Sequence, residues 1–345
     1  MTLAGILGTG TALPEKVITN HDLEKLVETS DQWITDRTGI KERRQAAPGE
    51  TTSHLSVQAA RRALEAANLS PRDLDLIICS TISPDMPLPS TASFIQRELG
   101  ARPCCSFDLA AACSGFLFGM TVAEQYIKTG KARYVLVVGA EILSRYLDYQ
   151  DRATCVIFGD GVAAAVLGPA TEPSGILASE MHTNGQYADQ LFIPAGGTAH
   201  PATCETVSER QHYIKMRGRE LFRVAVRGME DSLRHALDLA GMEPAQLSLI
   251  IPHQANKRIV DAMRERLAVP EENVVLNIDR FGNTSSASIP ITLDEAVRSG
   301  RLKPGDHLGL VAFGGGATWG AAVARWTLAS QNLTLATSAV SAGEA

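Results

Sequence analysis

RRALEAANLSPRDLDLII (residues 61–78) and RHALDLAGMEPAQLSLII (residues 234–251) align without gaps and are identical at about half of their positions. A repeat whose period is about half of the chain indicates an internal duplication. Each copy predicts an amphipathic helix, a turn containing Pro71 or Pro244, and a buried apolar strand, LDLII or LSLII. Because helix, turn and strand occur together twice, we expect two α/β halves of similar structure.

The sequence around the repeat extends this pattern. A second apolar strand is predicted in each half, YVLVVG at 134–139 and LGLVAF at 308–313. Alternating helices and strands favour mainly parallel sheets covered by helices. Since no Pro/Ser-rich linker separates the halves, we expect a pseudo-twofold pair that shares one core, with residues 1–172 in one half and residues 173–326 in the other. Residues 327–345 are Ala/Ser/Thr-rich and nearly uncharged, which predicts a disordered tail.

The composition excludes several classes of protein. The 345 residues carry a formal net charge of −6, which argues against a nucleic-acid binder or a membrane-surface protein. No apolar stretch is long enough to span a bilayer, and MTLAGILG at the start lacks the basic region of a signal peptide. The six cysteines lack metal-ligand spacing. We therefore expect a cytoplasmic protein with reduced thiols, no disulfide and no zinc or other metal.

Cys113 is the first candidate for a catalytic residue. It lies in FDLAAACSGF (107–116), between a predicted strand end and the start of a helix rich in small residues. Unpaired amide N–H groups at a helix N-terminus favour a thiolate and can donate to an oxyanion. The alternative is a structural cysteine, because free cysteine is among the most buried residue types.

The second half contains two further motifs, IPHQAN (251–256) and FGNTSSAS (281–288). Their candidates are His253, at the end of the repeated strand, and Asn283, in the region that corresponds to Cys113. Strand ends from two such halves face each other, so we expect the three side chains to reach one central site. There Cys113 could hold an acyl group as a thioester, and His253 and Asn283 could stabilise an enolate formed by decarboxylation. A core histidine and a turn asparagine are the structural alternatives.

Six motifs in order resemble those of the β-ketoacyl-[acyl-carrier-protein] synthase III family, within the thiolase-like superfamily: DQWITDRTGI (31–40), AAACSGF (110–116), FGDG (158–161), HQAN (253–256), GNTS (282–285) and FGGG (313–316). The likeness runs from about residue 3 to residue 326. It implies an α/β fold of thiolase-like αβαβα layers built from two pseudo-duplicated halves, a homodimer, and a catalytic triad of Cys113, His253 and Asn283.

The resemblance also implies roles for residues outside the triad. The N–H groups of Cys113 and Gly315 would form the oxyanion hole. Coenzyme A would be held by Trp33, Arg37, Arg152, Phe222 and Asn256. Phe158 would line the acyl pocket, and Leu88 would close that pocket across the dimer. Acyl-CoA and malonyl carrier protein would be substrates, with no cofactor.

The implied protein partner is acyl carrier protein, which is acidic. Basic residues at helical spacing and after the histidine motif support a cationic docking patch, of which we single out Arg223, Lys257, Arg258, Arg264 and Arg266. The alternative is that these side chains are solvated charges on helix surfaces.

The expected activity is the decarboxylative condensation of a short acyl group, such as acetyl, with malonyl carrier protein, which initiates type II fatty acid synthesis. One alternative is a related enzyme of secondary metabolism that condenses a polyketide starter or transfers an acyl group. A degradative thiolase is disfavoured, because no other cysteine lies in a comparable glycine-flanked motif. A non-catalytic carrier-protein-binding homologue would be expected to have lost one of the three candidate residues.

Overall fold

The computed structural model describes residues 3–170 and 173–326. Its strands are β1 Leu3–Ala12, β2 Lys16–Thr19, β3 Glu42–Gln45, β4 Leu76–Ser80, β5 Cys105–Leu109, β6 Val135–Glu141, β7 Gly161–Ala170, β8 Gly175–Thr183, β9 Leu191–Phe192, β10 Lys215–Met216, β11 Leu249–Pro252, β12 His307–Gly314 and β13 Thr318–Arg325. Its α-helices are α1 Asn20–Leu23, α2 Asp31–Thr38, α3 Thr52–Ala66, α4 Thr91–Leu99, α5 Gly115–Lys128, α6 Arg152–Cys155, α7 Cys204–Ser208, α8 Gly218–Ala240, α9 Lys257–Leu267, α10 Ile278–Phe281 and α11 Ser288–Arg298.

Two large sheets carry the fold. The first has the strand order β1-β7-β6-β4-β5, and β7 alone runs against its neighbours. The second has the order β11-β12-β13-β8, and β13 is the reversed strand. Ile250 of β11 also pairs in parallel with Val274, on the side of β11 that matches the position of β5 beside β4. Both sheets are therefore mixed: apart from β7 and β13 their strands share one direction, as predicted, but each of these two reversed strands forms antiparallel ladders with both neighbours.

The two halves repeat the same sequence of elements. In the first half α3 leads to β4, and in the second α8 leads to β11; both strands begin two residues later than the sequence pattern predicts, because Leu74 and Leu247 belong to the preceding turns. When the gap-free alignment of residues 61–78 with residues 234–251 is continued along the chain, Cys113 corresponds to Ser286. Each of these residues follows a residue with positive φ, Ala112 at +46° and Ser285 at +49°.

The helices form three layers around the two sheets. Between the sheets, α5 and α11 are buried in one apolar cluster that includes Phe116, Met120 and Leu293 together with residues of β4 and β12. The outer face of the first sheet packs against α3 and α4, and that of the second packs against α8 and α9. The resulting αβαβα order follows from strands that are apolar on both faces, since both faces must then be covered. The thiolase-like layered fold is thereby confirmed.

The early glycines of β1 have a packing role. A Cβ at Gly10 would lie 2.5 Å from the carbonyl oxygen of Ala59, and one at Gly8 would lie 2.3 Å from that of Ala63. These glycines therefore let α3 approach the backbone of β1 closely. This close packing accounts for the Gly-Thr-Gly sequence at residues 8–10.

The predicted boundary at residue 172 stays a prediction, although the first sheet draws its strands from Leu3–Ala12 through Gly161–Ala170 and the second begins at Gly175–Thr183. The tail at 327–345 lies outside the described residues. Within residues 3–170 and 173–326, none of the helices combines the length and apolarity that a bilayer crossing requires.

Candidate active site

Cys113 lies at the junction between β5 and α5, in the single 3-10 turn Ala112–Ser114. Its neighbour Ala112 has a left-handed backbone, and this turns the chain sharply just before the cysteine. The side chain is 5% exposed. It lines two separate cavities, so Cys113 stands at the wall between them.

The sequence pattern predicts that the helix N-terminus favours a thiolate at Cys113. In the folded chain burial acts in the opposite direction and raises the pKa of the thiol to about 12, while the nearby Ser285 hydroxyl lowers it by less. Burial thus favours a neutral thiol in the free protein, in opposition to the helix N-terminus, which favours the thiolate. A neutral thiol must lose its proton as the substrate arrives.

His253 follows the last residue of β11 and is 1% exposed. Its backbone N–H donates to the carbonyl of Val311, and its Nδ1 lies 2.6 Å from the hydroxyl oxygen of Ser288. Burial lowers the pKa of the imidazole to about 3, so the ring is neutral. The N–H of Gln254 also donates to this hydroxyl oxygen. We assign the Ser288 proton to the contact with Nδ1, which places the ring proton on Nε2.

Asn283 is also held by contacts that orient its amide. Its side-chain oxygen accepts from the N–H of Ser285 at 2.8 Å, and its backbone pairs with the segment around Phe158. With the oxygen engaged, the amide nitrogen is the group left to donate. Asn283 and His253 line the same cavity as Cys113, so the structure brings the three predicted catalytic residues together.

The two cavities at Cys113 differ in their walls. The first has a volume of about 380 Å³ and is lined mainly by apolar side chains, among them Leu143, Phe158, Leu191, Ile193 and Ile214. The second, of about 210 Å³, also has a largely apolar wall, which includes Phe222 and Phe313, but the polar side chains of His253, Asn256 and Asn283 enter it. An apolar chain therefore fits on one side of the thiol and a polar linker on the other.

The glycine run after β12 approaches the nucleophile from the second half. A Cβ at Gly314 would lie 2.6 Å from the backbone nitrogen of Cys113, so only glycine permits this contact. Gly315 lines the first cavity together with Cys113. The hydroxyl of Thr318 donates to the carbonyl of Ala111 at 2.8 Å and lies 3.3 Å from the carbonyl of Gly315, so it ties the two loops together.

Sequence reasoning missed a buried carboxyl beside this site, that of Glu141. It is completely buried at the end of β6, and burial raises its pKa to about 7. Ser286 lies 3.0 Å from one carboxyl oxygen while donating to the carbonyl of Ser80 at 2.8 Å. The two acceptors compete for the one proton of Ser286, and protonation of Glu141, which the raised pKa favours, would add a second donor to this pair. No sequence signal marks this residue, because its surroundings come from distant parts of the chain.

The predicted coenzyme A residues form two groups: Trp33, Arg37 and Arg152 lie together, and Phe222 and Asn256 line the second cavity. The Arg152 guanidinium lies 4.8 Å from the ring centre of Trp33, that of Arg37 lies 5.6 Å from the same ring, and Arg152 also donates to the carbonyl of Glu28. An adenine that stacks on Trp33 must displace Arg152. Asn256 donates to the carbonyl of Arg37 at 3.0 Å, which links this group to the second cavity, where Phe222 and Asn256 lie.

The five predicted docking cations differ in their availability. Arg223 and Arg258 are exposed, and the Arg258 guanidinium lies 6.0 Å from the ring centre of Phe222. Lys257 is paired with Asp261 at 2.8 Å, and Arg266 is paired with Glu230. Arg264 is only 23% exposed and donates to the carbonyl of Val269. Among the described contacts Arg223 and Arg258 make no ion pair, and both lie near Phe222, which lines the second cavity.

The two residues predicted for the acyl pocket differ in their positions, and only one of them lines a cavity at Cys113. Phe158 is buried and lines both cavities. Leu88 is 83% exposed and is not among the lining residues of either cavity. In a single chain it does not close the acyl pocket.

Comparison with known proteins agrees with the site. The family model described as 3-oxoacyl-[acyl-carrier-protein (ACP)] synthase III matches residues 107–185, and the model of its C-terminal part matches residues 237–326. The chain is 51% identical over 327 residues to beta-ketoacyl-[acyl-carrier-protein] synthase III of Desulfitobacterium hafniense, in an alignment that covers 95% of this chain and 99% of that relative. It is 50% identical over 324 residues to the protein of the same name from Caldanaerobacter subterraneus, covering 94% of this chain and 98% of that protein.

Solved structures give the same result. The crystal structure of 3-oxoacyl-[acyl-carrier-protein] synthase III from Aquifex aeolicus superposes with a TM-score of 0.87 at 49% identity, covering 94% of this chain and 100% of that one. The chain therefore belongs to the β-ketoacyl-[acyl-carrier-protein] synthase III family of condensing enzymes.

Proposed function

We propose that this enzyme condenses a short acyl group, taken from acyl-CoA, with malonyl carrier protein, and so starts the synthesis of a fatty acid chain. The observation that carries the proposal is the position of Cys113 between an apolar cavity and a cavity with polar hydrogen-bonding groups. Acyl chain and pantetheine linker need these two environments on either side of one thiol.

In the first step Cys113 Sγ attacks the carbonyl carbon of acyl-CoA. The negative charge that develops on the carbonyl oxygen is stabilised by the N–H groups of Cys113 and Gly315. The bond to the coenzyme A sulfur then breaks, and coenzyme A leaves as a thiol with the proton that Cys113 gave up. A thioester is exchanged for a thioester, so loading is nearly isoenergetic and reversible.

In the second step the malonyl thioester occupies the second cavity. Nε2–H of His253 and the amide N–H of Asn283 donate to its thioester carbonyl and stabilise the enolate that forms as carbon dioxide leaves. The enolate carbon attacks the acyl-Cys113 carbonyl, the bond to sulfur breaks, and Cys113 leaves as a thiolate that takes up one proton from solvent. The substrates supply every atom of the product, so we propose that no cofactor or metal takes part in the condensation.

We propose that Trp33, Arg37 and Arg152 hold the nucleotide end of coenzyme A. A planar indole and a guanidinium can stack on the two faces of an adenine. Phe222 and Asn256 line the second cavity together with His253, and Asn256 also contacts Arg37, so the pantetheine arm would run past these two residues.

We propose that the carrier protein docks on Arg223 and Arg258, with Lys257 at the same opening. Replacing both arginines by glutamate should raise the KM for malonyl carrier protein, because steering of an acidic partner depends on exposed charge. The variant Arg61→Glu/Arg72→Glu, with the same charge change on the first half, is the matched control. Equal KM values for the two variants would count against the patch.

We propose a homodimer formed along β5. This strand is one of the two edges of the first sheet, and the loop before α4 exposes Met86 and Leu88 beside it. An unpaired edge with exposed apolar side chains favours pairing with another chain, and Leu88 would then reach the partner's pocket.

The cytoplasm is the proposed location, since all six cysteines are free, as in a reducing compartment.

The test is intact-protein mass spectrometry after incubation with straight and branched acyl-CoAs from acetyl to decanoyl. One short acyl mass on the wild type and none on Cys113→Ala would support the proposal. A preference for a larger starter would favour secondary metabolism, to which a solved relative belongs: the priming β-ketosynthase of the R1128 polyketide pathway, 34% identical over 94% of this chain and 96% of that one, with a TM-score of 0.88. No adduct with any acyl-CoA would contradict acyl-CoA priming.

A further inference from the structure

Glu180, His182 and His235 form a cluster on the surface of the second half, outside the site described above. Glu180 and His182 are two residues apart on β8, so their side chains share the face of the strand. His235 comes from α8, the helix that covers this sheet. The candidate ligand atoms of the three side chains all lie within 4.8 Å of one another.

The carboxylate at the centre of this cluster is incompletely satisfied. Glu180 is 8% exposed, and one of its oxygens bonds to Nδ1 of His235. Its other oxygen is buried and has no hydrogen-bond partner within the described residues, although Nε2 of His182 lies 3.3 Å away. A buried carboxylate oxygen without a partner is costly, and a cation between the two imidazoles would satisfy it.

The ring of His182 is held in place by stacking. Its centre lies 5.8 Å from that of Trp319, and Trp319 in turn stacks on Phe313 at 6.4 Å. His182 and Trp319 are paired neighbours on β8 and β13. One ligand ring is therefore already oriented before any ion arrives.

We propose that Glu180, His182 and His235 form a binding site for one Zn²⁺ ion per chain. Two imidazole nitrogens and one carboxylate are a ligand set that zinc takes, with the fourth position left for water. A tetrahedral zinc separates neighbouring ligand atoms by about 3.3 Å, so small side-chain movements complete the site. Mg²⁺ and Ca²⁺ prefer oxygen ligands, so a site with two imidazole nitrogens favours zinc over these ions. None of the cysteines, whose spacing predicts no zinc, takes part.

The bound ion would fasten the edge strand β8 to α8. It would link two elements that otherwise meet mainly through apolar packing, and any ligand that binds the folded chain alone stabilises it. The site is separate from the condensation chemistry and does not depend on the proposed function.

The test uses the untagged full-length protein, freed of metal with a chelator and titrated with ZnCl₂ by calorimetry. We expect one Zn²⁺ per chain for the wild type, and binding at least about tenfold weaker for His235→Ala and His182→Ala, as for the loss of one ligand. Glu180→Gln, which keeps the side-chain shape, should weaken binding as well. His54→Ala, which removes an exposed histidine on α3, is the matched control and should bind as the wild type does.

Two further readouts separate this site from other zinc-binding groups. The Co²⁺-substituted protein should lack thiolate charge-transfer absorption, which excludes the exposed Cys105 and Cys204. Zn²⁺ should raise the Tm of the wild type and of His54→Ala but not that of His235→Ala. Absence of zinc binding, or binding that His235→Ala leaves unchanged, would overturn the proposal and leave the cluster as an ion pair only.

Discussion

Ser288 holds the imidazole of His253 through a 2.6 Å contact between its hydroxyl oxygen and Nδ1. The two residues come from α11 and from the end of β11, so the packing of a central helix fixes the orientation of the ring. When the two copies of the repeat are aligned, Ser80 corresponds to His253 and Gly115 corresponds to Ser288. The hydroxyl of Ser80 donates to the carbonyl of Gly115. The first half thus has the same pair of positions in contact, with groups that cannot donate to a substrate.

The first prediction concerns this contact. Ser288→Ala should slow the condensation by about tenfold, the equivalent of roughly 1.4 kcal/mol for one lost hydrogen bond, because the proton is no longer fixed on Nε2. Acylation of Cys113 should change by less than a factor of two or three. Separate assays of acyl-enzyme formation and of carbon dioxide release measure the two steps, and an equal loss in both would indicate a merely structural role.

The neutral state of His253 gives the second prediction. Its pKa of about 3 keeps the ring neutral from pH 5 to 9, so carbon dioxide release from pre-acylated enzyme should show no histidine titration in this range. His253→Ala should reduce this step by about 10²- to 10³-fold, as expected for one lost donor to an oxyanion. A decline in the wild-type rate below pH 6.5 that is absent from His253→Ala would contradict a neutral donor.

The third prediction follows from the raised pKa of Cys113, about 12. Since the thiolate is the reactive form, alkylation of Cys113 by iodoacetamide should rise about tenfold per pH unit from pH 6 to pH 9. Peptide mass spectrometry separates this residue from the exposed Cys105 and Cys204. A plateau in the Cys113 rate below pH 9 would show that the helix N-terminus outweighs burial.

Glu141 supplies the fourth prediction. Its folded pKa of about 7 is above its ordinary value, so the folded state binds the proton more tightly and stability is lost as pH rises from about 4.5 through 7. The size of this loss is about 3 kcal/mol. Glu141→Gln should lack it, because the amide stays neutral and can still donate to Ser286.

Urea unfolding at pH 5 and pH 8 measures this effect as the difference between wild type and Glu141→Gln. The other buried carboxyl with a raised pKa, Asp160, is present in both proteins and cancels. Acylation of Cys113 should stay within a few-fold of the wild type. Equal pH dependence of stability in the two proteins would mean that Glu141 is ionised when folded.

The two α/β halves and the convergence of three side chains on one cavity could be predicted from local signals, and the layered order from the resemblance. The repeat predicts the two halves, and Cys113, His253 and Asn283 each stand at the end of an element within a distinct motif. Ser288 and Glu141 have no such signal, since their importance comes from burial and from partners far along the chain. The same reason hid the cluster of Glu180 and His235, which lie on different elements.

Charge and helical spacing alone also failed to separate the candidate docking cations. Arg258 and Arg264 are both on α9, and the sequence treats them alike. Only the packing shows that Arg264 turns back to the carbonyl of Val269 while Arg258 points to the surface beside Phe222. Likewise, the helix N-terminus at Cys113 is visible in the sequence, but the burial that opposes it is not.

The last prediction concerns Trp33 and the nucleotide of coenzyme A. Trp33→Ala should raise the KM for acyl-CoA by roughly 5- to 100-fold, the equivalent of about 1–3 kcal/mol for one lost base stack. The kcat should change little, because Trp33 lies away from the reacting atoms. An acyl-N-acetylcysteamine thioester has the reactive group but no nucleotide, so its kcat/KM should be the same with both proteins. If this short thioester lost as much as acyl-CoA did, Trp33 would act on the shape of the site rather than on the adenine.

Arg152→Ala tests the role of this guanidinium apart from that of Arg37. Arg152 lies against Trp33 in the free protein, so its removal leaves the space for the adenine already open. The loss of affinity for acyl-CoA should therefore be smaller than the loss caused by Trp33→Ala.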